Sequence, residues 1–288
     1  MKKVLYLLTL PVFALALSCS CDRSAAADDE RLPSITGEDN DKEVIYEKDE
    51  SSYRIVSYNV GAFSKYMTNS TSTVAAMMKE IEADAMVLNE LDRNNGRHDT
   101  DQLADFAKEM DWDCYYAKAM DYRNGEYGNG AAWSRELDVV SKSVIALPKQ
   151  TGSEDRCCVV IEFSDFVLAG THLDVGTEDD RVRGVQTITR ELMEKYGEGD
   201  KPVFVCGDMN AEPSSETVKE FKKNWTQLTP AKSTHSSQNP TKCIDYVFAL
   251  KDVGSYEVTA SDVLTSFKSG SVKQASDHLP VYVDVTIK

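Results

Sequence analysis

Residues 157–172 read Cys157-Cys158-Val159-Val160-Ile161-Glu162-Phe163-Ser164-Asp165-Phe166-Val167-Leu168-Ala169-Gly170-Thr171-His172. Two near-continuous apolar runs, Cys157 to Phe163 and Phe166 to Thr171, are separated by two polar residues. That gap is too short for a crossover helix, so the pair is antiparallel, and runs this apolar belong to strands buried on both faces. The second run ends on a histidine. Further strands are expected at Arg54 to Tyr58, Ala85 to Leu88, Tyr115 to Ala119, Val139 to Leu147, Val203 to Cys206, Asp245 to Leu250, Tyr256 to Leu264 and Val281 to Ile287. Helical spacing places Val74, Met77, Met78 and Ile81 on one stripe, and Val182, Val185, Thr189, Leu192 and Tyr196 on another. Strands outnumber helices and some pair through tight turns, which predicts an α/β sandwich with antiparallel pairs. No internal repeat is visible.

The 288 residues, 41% apolar and 28% charged, suffice for one sizeable core. Lys2 and Lys3 followed by an apolar run from Val4 to Leu17 form an export signal too short to span a bilayer. Leu15-Ala16-Leu17-Ser18-Cys19 resembles a bacterial lipoprotein signal, implying residues 1–18 as signal peptide and a lipid anchor at Cys19, on the periplasmic side or the cell surface. Residues 19–50 are rich in acid, Ala and Ser, and read as a disordered linker; the folded domain is expected over residues 51–288. That domain keeps most of the chain's net charge of −16. Excess acid argues against a protein that grips nucleic acid through its phosphates. The domain's five cysteines, at 114, 157, 158, 206 and 243, show no zinc spacing and are read as small buried apolar residues.

Polar residues recur where apolar strands stop: Asn59, Glu90, His172, then Asp208 and Asn210, with Asp277 and His278 just before the last strand. Strand ends on one rim let short side chains converge from rigid backbones. Acids and amides are hard oxygen donors that suit Mg²⁺, or Mn²⁺ in its place, better than zinc. The four histidines, at 98, 172, 235 and 278, are too far apart for a local zinc motif; His98 and His235 lie in polar loops without a role.

Tyr58-Asn59-Val60, Asn89-Glu90-Leu91-Asp92, Gly128-Asn129-Gly130, Thr171-His172-Leu173-Asp174, Gly207-Asp208-Met209-Asn210, Ile244-Asp245-Tyr246 and Ser276-Asp277-His278 resemble, in order, the motifs of the endonuclease/exonuclease/phosphatase superfamily. The resemblance implies a four-layer α/β sandwich, two packed and mainly antiparallel sheets flanked by helices. It implies a metal-dependent phosphoric ester hydrolase, with Mg²⁺ on Glu90, Asn59 and Asp277 or its bound water. Asp208 would orient or deprotonate the attacking water and Asn210 would position it or hold a phosphate oxygen. His172 and His278, the latter paired with Asp245, would donate to phosphoryl oxygens.

Asn129-Gly130 is also a strong turn pair, which leaves Asn129 between substrate contact and turn. The family's Gly-Asn stretch is one residue longer here, through Trp133, and a bulge is expected there. Tyr122, Arg123 and Tyr127, in the preceding loop, are candidate substrate contacts. Acidic charge and tethering favour a small phosphorylated solute or lipid head group as substrate. The alternative is a secreted nuclease, which would need a basic groove formed by Lys65, Arg93, Arg97, Arg123 and Arg135. From another class comes a surface lipoprotein that kept the fold and lost the chemistry.

Overall fold

A computed structural model describes residues 46–288 apart from Ser153. The signal, Cys19 and the linker up to residue 45 lie outside the described residues. In chain order the elements are β1 (Tyr53–Asn59), α1 (Thr71–Glu80), β2 (Ala85–Arg93), α2 (Gln102–Met110), β3 (Trp112–Tyr122), β4 (Gly125–Ser134), β5 (Val139–Ala146), β6 (Cys157–Phe163) and β7 (Val167–His172). There follow α3 (Glu178–Tyr196), β8 (Val203–Asp208), α4 (Glu216–Asn224), β9 (Trp225–Gln227), β10 (Asp245–Leu250), β11 (Tyr256–Val263), α5 (Val272–Ala275) and β12 (Val281–Ile287).

Twelve strands form two six-stranded sheets, ordered β11-β12-β1-β2-β4-β3 and β5-β6-β7-β8-β10-β9. In each sheet only the central pair is parallel, β1 with β2 and β7 with β8, and every other pairing is antiparallel. The parallel pairs are the ones whose connections contain α1 and α3, as parallel neighbours require. The quoted hairpin is β6–β7, with Cys158 opposite Thr171.

The inner faces of the sheets share one apolar core that includes Ile55, Val87, Ile161 and Phe204; α1 and α2 extend it on the outer side of the first sheet through Met77, Met78 and Phe106. A second core, with Val185, Ile188, Leu192 and Phe221, packs α3 and α4 on the second sheet. The layers are therefore helix, sheet, sheet, helix. Adjacent Cys157 and Cys158 fall into different cores, since successive strand residues face opposite ways. All five described cysteines are free. Sheet contact is close at Gly170, where a Cβ would sit 2.4 Å from a Val87 methyl.

Three features settle or differ from the expectations above. Asn129-Gly130 is no turn: both lie inside β4, where a Cβ on Gly130 would meet Leu103 at 2.4 Å. The turn falls at Arg123-Asn124, both with positive φ, between β3 and β4. The bulge is absent from the Trp133 segment, where Ala85 to Leu88 pair in register with Trp133 to Gly130, and lies instead at Asn89-Glu90. Residues 46–50 are fastened to the domain: Arg54 donates to Tyr46 O and Glu47 O, and the Tyr46 ring packs edge-on against Tyr282.

Candidate active site

Both parallel pairs deliver their strand ends to one rim. Asn59 at the end of β1 stands beside Asn89, where the pairing with β2 stops although β2 runs on to Arg93, and His172 stands beside Asp208 at the ends of β7 and β8. Asn89 stitches the sheets together, its Oδ1 accepting from Asp208 N at 2.9 Å and its Nδ2 donating to Thr171 O at 3.1 Å. The next residue, Glu90, has φ +60 inside a strand. This uncommon conformation for a residue with a side chain, sited at the bulge, breaks the strand's alternation and re-aims the carboxylate.

Asn59 is fully buried, and its Nδ2 donates to Glu90 Oε1 and to Asp208 Oδ2, each at 3.0 Å. It gathers the two carboxylates at one point, while its Oδ1 accepts from Gly61 N. Asn59 thus presents its donor end to the site, where the resemblance had implied a metal-binding oxygen. Asp277 binds Lys65 at 2.6 Å. Ligand atoms of His235, Asp277 and His278 lie within 4.8 Å of one another, as do those of Asp208, Asp245 and His278. Glu90 has no ion pair among the described residues. Glu90 and Asp277 are hard oxygen donors on the same cleft, and such a donor set fits a hard divalent cation.

The proton-handling groups stand opposite. Asp245, buried, accepts from Thr234 Oγ1 at 2.5 Å and from His278 Nδ1 at 2.9 Å. His278 Nε2 then faces Asp208 Oδ2 at 3.6 Å. Burial opposes charge on His278, but Asp245 and Asp208 outweigh it and raise its pKa to about 10. Burial pushes the Asp208 carboxyl up to about 7 against the pull of His278. Asp208 Oδ1 accepts from Asn210 N, and Asn210 Nδ2 lies 3.0 Å from His172 Nε2.

A cleft of about 400 Å³ opens over these groups, lined by Glu90, Arg97, Met120, Tyr122, Tyr127, Glu154, Arg156, His172, Val175, Asp208, Asn210, His235, Lys242, Ile244, Asp277 and His278. Tyr122 and Tyr127 form one wall, with the Arg97 guanidinium over both rings. Arg97 is anchored to buried Asp92, which also binds His98 Nδ1 at 2.6 Å. Burial would raise the Asp92 carboxyl, but Arg97 and His98 hold it below its usual range. Arg123 does not line the cleft; it stacks on Tyr122 from the turn. Asn129 does not line it either: it is buried, donating to Cys157 O and accepting from Asn89.

Residue pattern alone missed His235, whose ring lies 4.8 Å from that of His278, and the cleft residues Glu154, Arg156 and Lys242. For Arg156 a signal existed. Cys158 pairs with Thr171, so the residue just ahead of β6 runs alongside His172 and Leu173.

Two α/β layers closing a rim of acids, amides and histidines around a cleft define a phosphoric ester hydrolase. The chain belongs to the Endonuclease/Exonuclease/phosphatase family, whose model matches residues 56–278. Members generally use a divalent metal. Among curated proteins it is similar to nocturnin of Rattus norvegicus, 29% identical over 133 residues, spanning 40% of this chain and 31% of that protein. Less than a third of that relative's length is therefore matched. Among solved structures, a mannosyl-6-phosphatase of Bacteroides thetaiotaomicron superposes with a TM-score of 0.67 at 18% identity, over 81% of this chain and 99% of that one. The human nocturnin catalytic domain with bound sulfate gives 0.62 at 19%, over 84% and 96%. At these identities the superpositions show the shared fold. As an enzyme of this family the chain is not the catalytically silent binder weighed above.

Proposed function

We propose that the protein is a Mg²⁺-dependent hydrolase of a small phosphorylated solute or phosphorylated lipid head group, acting outside the cytoplasm from an anchor at Cys19. The observation that carries the chemistry is the single amide of Asn59 joining Glu90 to Asp208, opposite the Asp245–His278 pair. In the reaction, water attacks phosphorus in line with the leaving oxygen. Asp208, with a pKa pushed towards neutrality, aims the water and takes its proton. Asn210, His172 and charged His278 donate to the non-bridging oxygens as negative charge spreads over them. A divalent cation bound by Glu90 and Asp277, with Asn59 positioning Glu90, would neutralise the phosphoryl and leaving oxygens.

Cleft size and charge support a small substrate. Of the five basic residues that a nuclease groove would need, Lys65, Arg93, Arg97 and Arg135 are spent in ion pairs with Asp277, Asp101, Asp92 and Asp111. The superposed mannosyl-6-phosphatase is named for a phosphorylated sugar, which also favours a small solute. The extracytoplasmic location and the anchor rest on the N-terminal sequence.

The test assays the purified protein with Mg²⁺ or chelator against p-nitrophenyl phosphate, bis-p-nitrophenyl phosphate, sugar and inositol phosphates, sphingomyelin and plasmid DNA. Metal-dependent turnover of a small ester, absent from Asp208→Ala, is expected. Turnover confined to DNA and falling steeply with salt would replace the reading by the nuclease.

A further inference from the structure

Arg156 lies one residue ahead of β6, in none of the motifs that mark the site. Its side chain is buried, Nη2 is bound to Glu154 Oε2 at 2.8 Å, and Nη1 lies 3.2 Å from His172 Nδ1. A guanidinium carries donors only and keeps its proton at any accessible pH. Donation from this charged group favours His172 Nδ1 as the acceptor, which leaves a neutral ring with its one proton on Nε2.

Nε2 faces Asp208 Oδ2 at 3.4 Å across the cleft rim. Asn210 Nδ2, also a donor, lies 3.0 Å from the same Nε2, so two donors compete for the ring's one lone pair; the uncharged amide, which donates to Leu173 O at 3.1 Å as well, competes more weakly than the charged guanidinium. Three ionisable groups act on the ring. Arg156 and His278 disfavour its charge, and only Asp208 favours it. Burial is the largest influence, and together with Arg156 and His278 it holds His172 well below the usual histidine range.

We infer that Arg156 is a positioning residue that locks His172 as the neutral Nε2–H tautomer, so that the two site histidines serve one phosphoryl group in different charge states. His278, paired with a carboxylate, is the imidazolium; His172, paired with a guanidinium, is an uncharged donor. A second imidazolium would tighten the grip on the substrate's ground-state charge and on a released phosphate alike. A neutral N–H instead gives directional donation without a further full charge. The inference rests on His172 as a phosphoryl donor, but its primary readout does not depend on turnover.

The experiment is ¹⁵N–¹H NMR of the imidazole nitrogens in the whole protein, from pH 5 to 9, for wild type, Arg156→Leu and Arg156→Gln. Wild-type His172 is expected to stay neutral and Nε2–H throughout. In Arg156→Leu its pKa should rise relative to wild type, burial and His278 still opposing charge, and the Nδ1–H tautomer should become populated, with a new acid limb in kcat/KM. Arg156→Gln, which keeps an N–H donor, should restore the tautomer. A wild-type His172 that protonates within this range, or carries its proton on Nδ1, overturns the inference whether or not the variants fold. So does an Arg156→Leu protein with the wild-type tautomer and pH profile. Loss of all turnover with the tautomer intact would strike the proposed reaction and leave the role of Arg156 standing.

Discussion

The two sheets follow one plan and bring different side chains to the cleft. Each has a central parallel pair flanked on both sides by two antiparallel strands, with a helix in the connection of that pair. In the first sheet the pair ends on Asn59 and Asn89-Glu90, and in the second on His172 and Asp208. In the proposed reaction the first pair would deliver Glu90 as an oxygen donor for a cation, and the second would deliver the base and a proton donor. Equivalent backbone positions have thus been filled with complementary residue types, and contact between the sheets makes the two half-sites one. The means also differ. The first sheet needs a bulge and a positive φ to aim Glu90; the second needs Gly207, with φ +146, because a Cβ there would collide with Thr171 O at 1.7 Å.

If the halves divide the labour in this way, substitutions should separate turnover from cation binding. Asp208→Asn should lower kcat about 10³-fold, while the Mg²⁺-induced rise in Tm persists. Loss of that rise as well would show that Asp208 belongs to the cation site and would break the division. Glu90→Gln should do the converse. Calorimetry should show no Tm response to Mg²⁺ or chelator, with turnover down about 10²-fold.

Asp245→Asn should cost about tenfold in turnover and change the pH dependence of stability. A folded-state pKa of about 10 for His278 means that its stabilisation is complete below the unfolded value of about 6.5 and fades as pH rises through 10. Denaturant melts of wild type and variant should therefore differ most at or below pH 6.5 and converge towards pH 10. A constant gap would mean that the pair contributes packing and not charge. The smallest effect is expected at the cleft wall, where Tyr122→Ala should raise KM about threefold on the best substrate with kcat nearly unchanged.

Much of this was legible in the sequence because strand ends carry the chemistry. Asn59, His172 and Asp208 are each marked by the apolar run ahead of them, and β6, β10 and β12 begin and end where the pattern places them. β4 was not legible. Gly125-Glu126-Tyr127-Gly128-Asn129-Gly130-Ala131-Ala132-Trp133-Ser134 has few strand formers, and is extended because its glycines admit close neighbours; a Cβ on Gly128 would meet Ala117 O at 2.1 Å. The bulge at Glu90 was hidden because its conformation belongs to the partner strand's register as much as to its own residues. His235 was hidden because tertiary neighbours, not adjacent residues, give it its place, whereas Arg156 could have been found from the β6–β7 hairpin register.

Arg54 grips the backbone of Tyr46 and Glu47 near the start of β1, and Asn59 ends the same strand. Five residue steps of extended chain separate them, roughly 17 Å. Tyr46 and Glu47 are therefore fastened at the end of β1 opposite the one that feeds the catalytic mouth, so substitutions that loosen this clasp act on the domain without touching the residues that line the cleft.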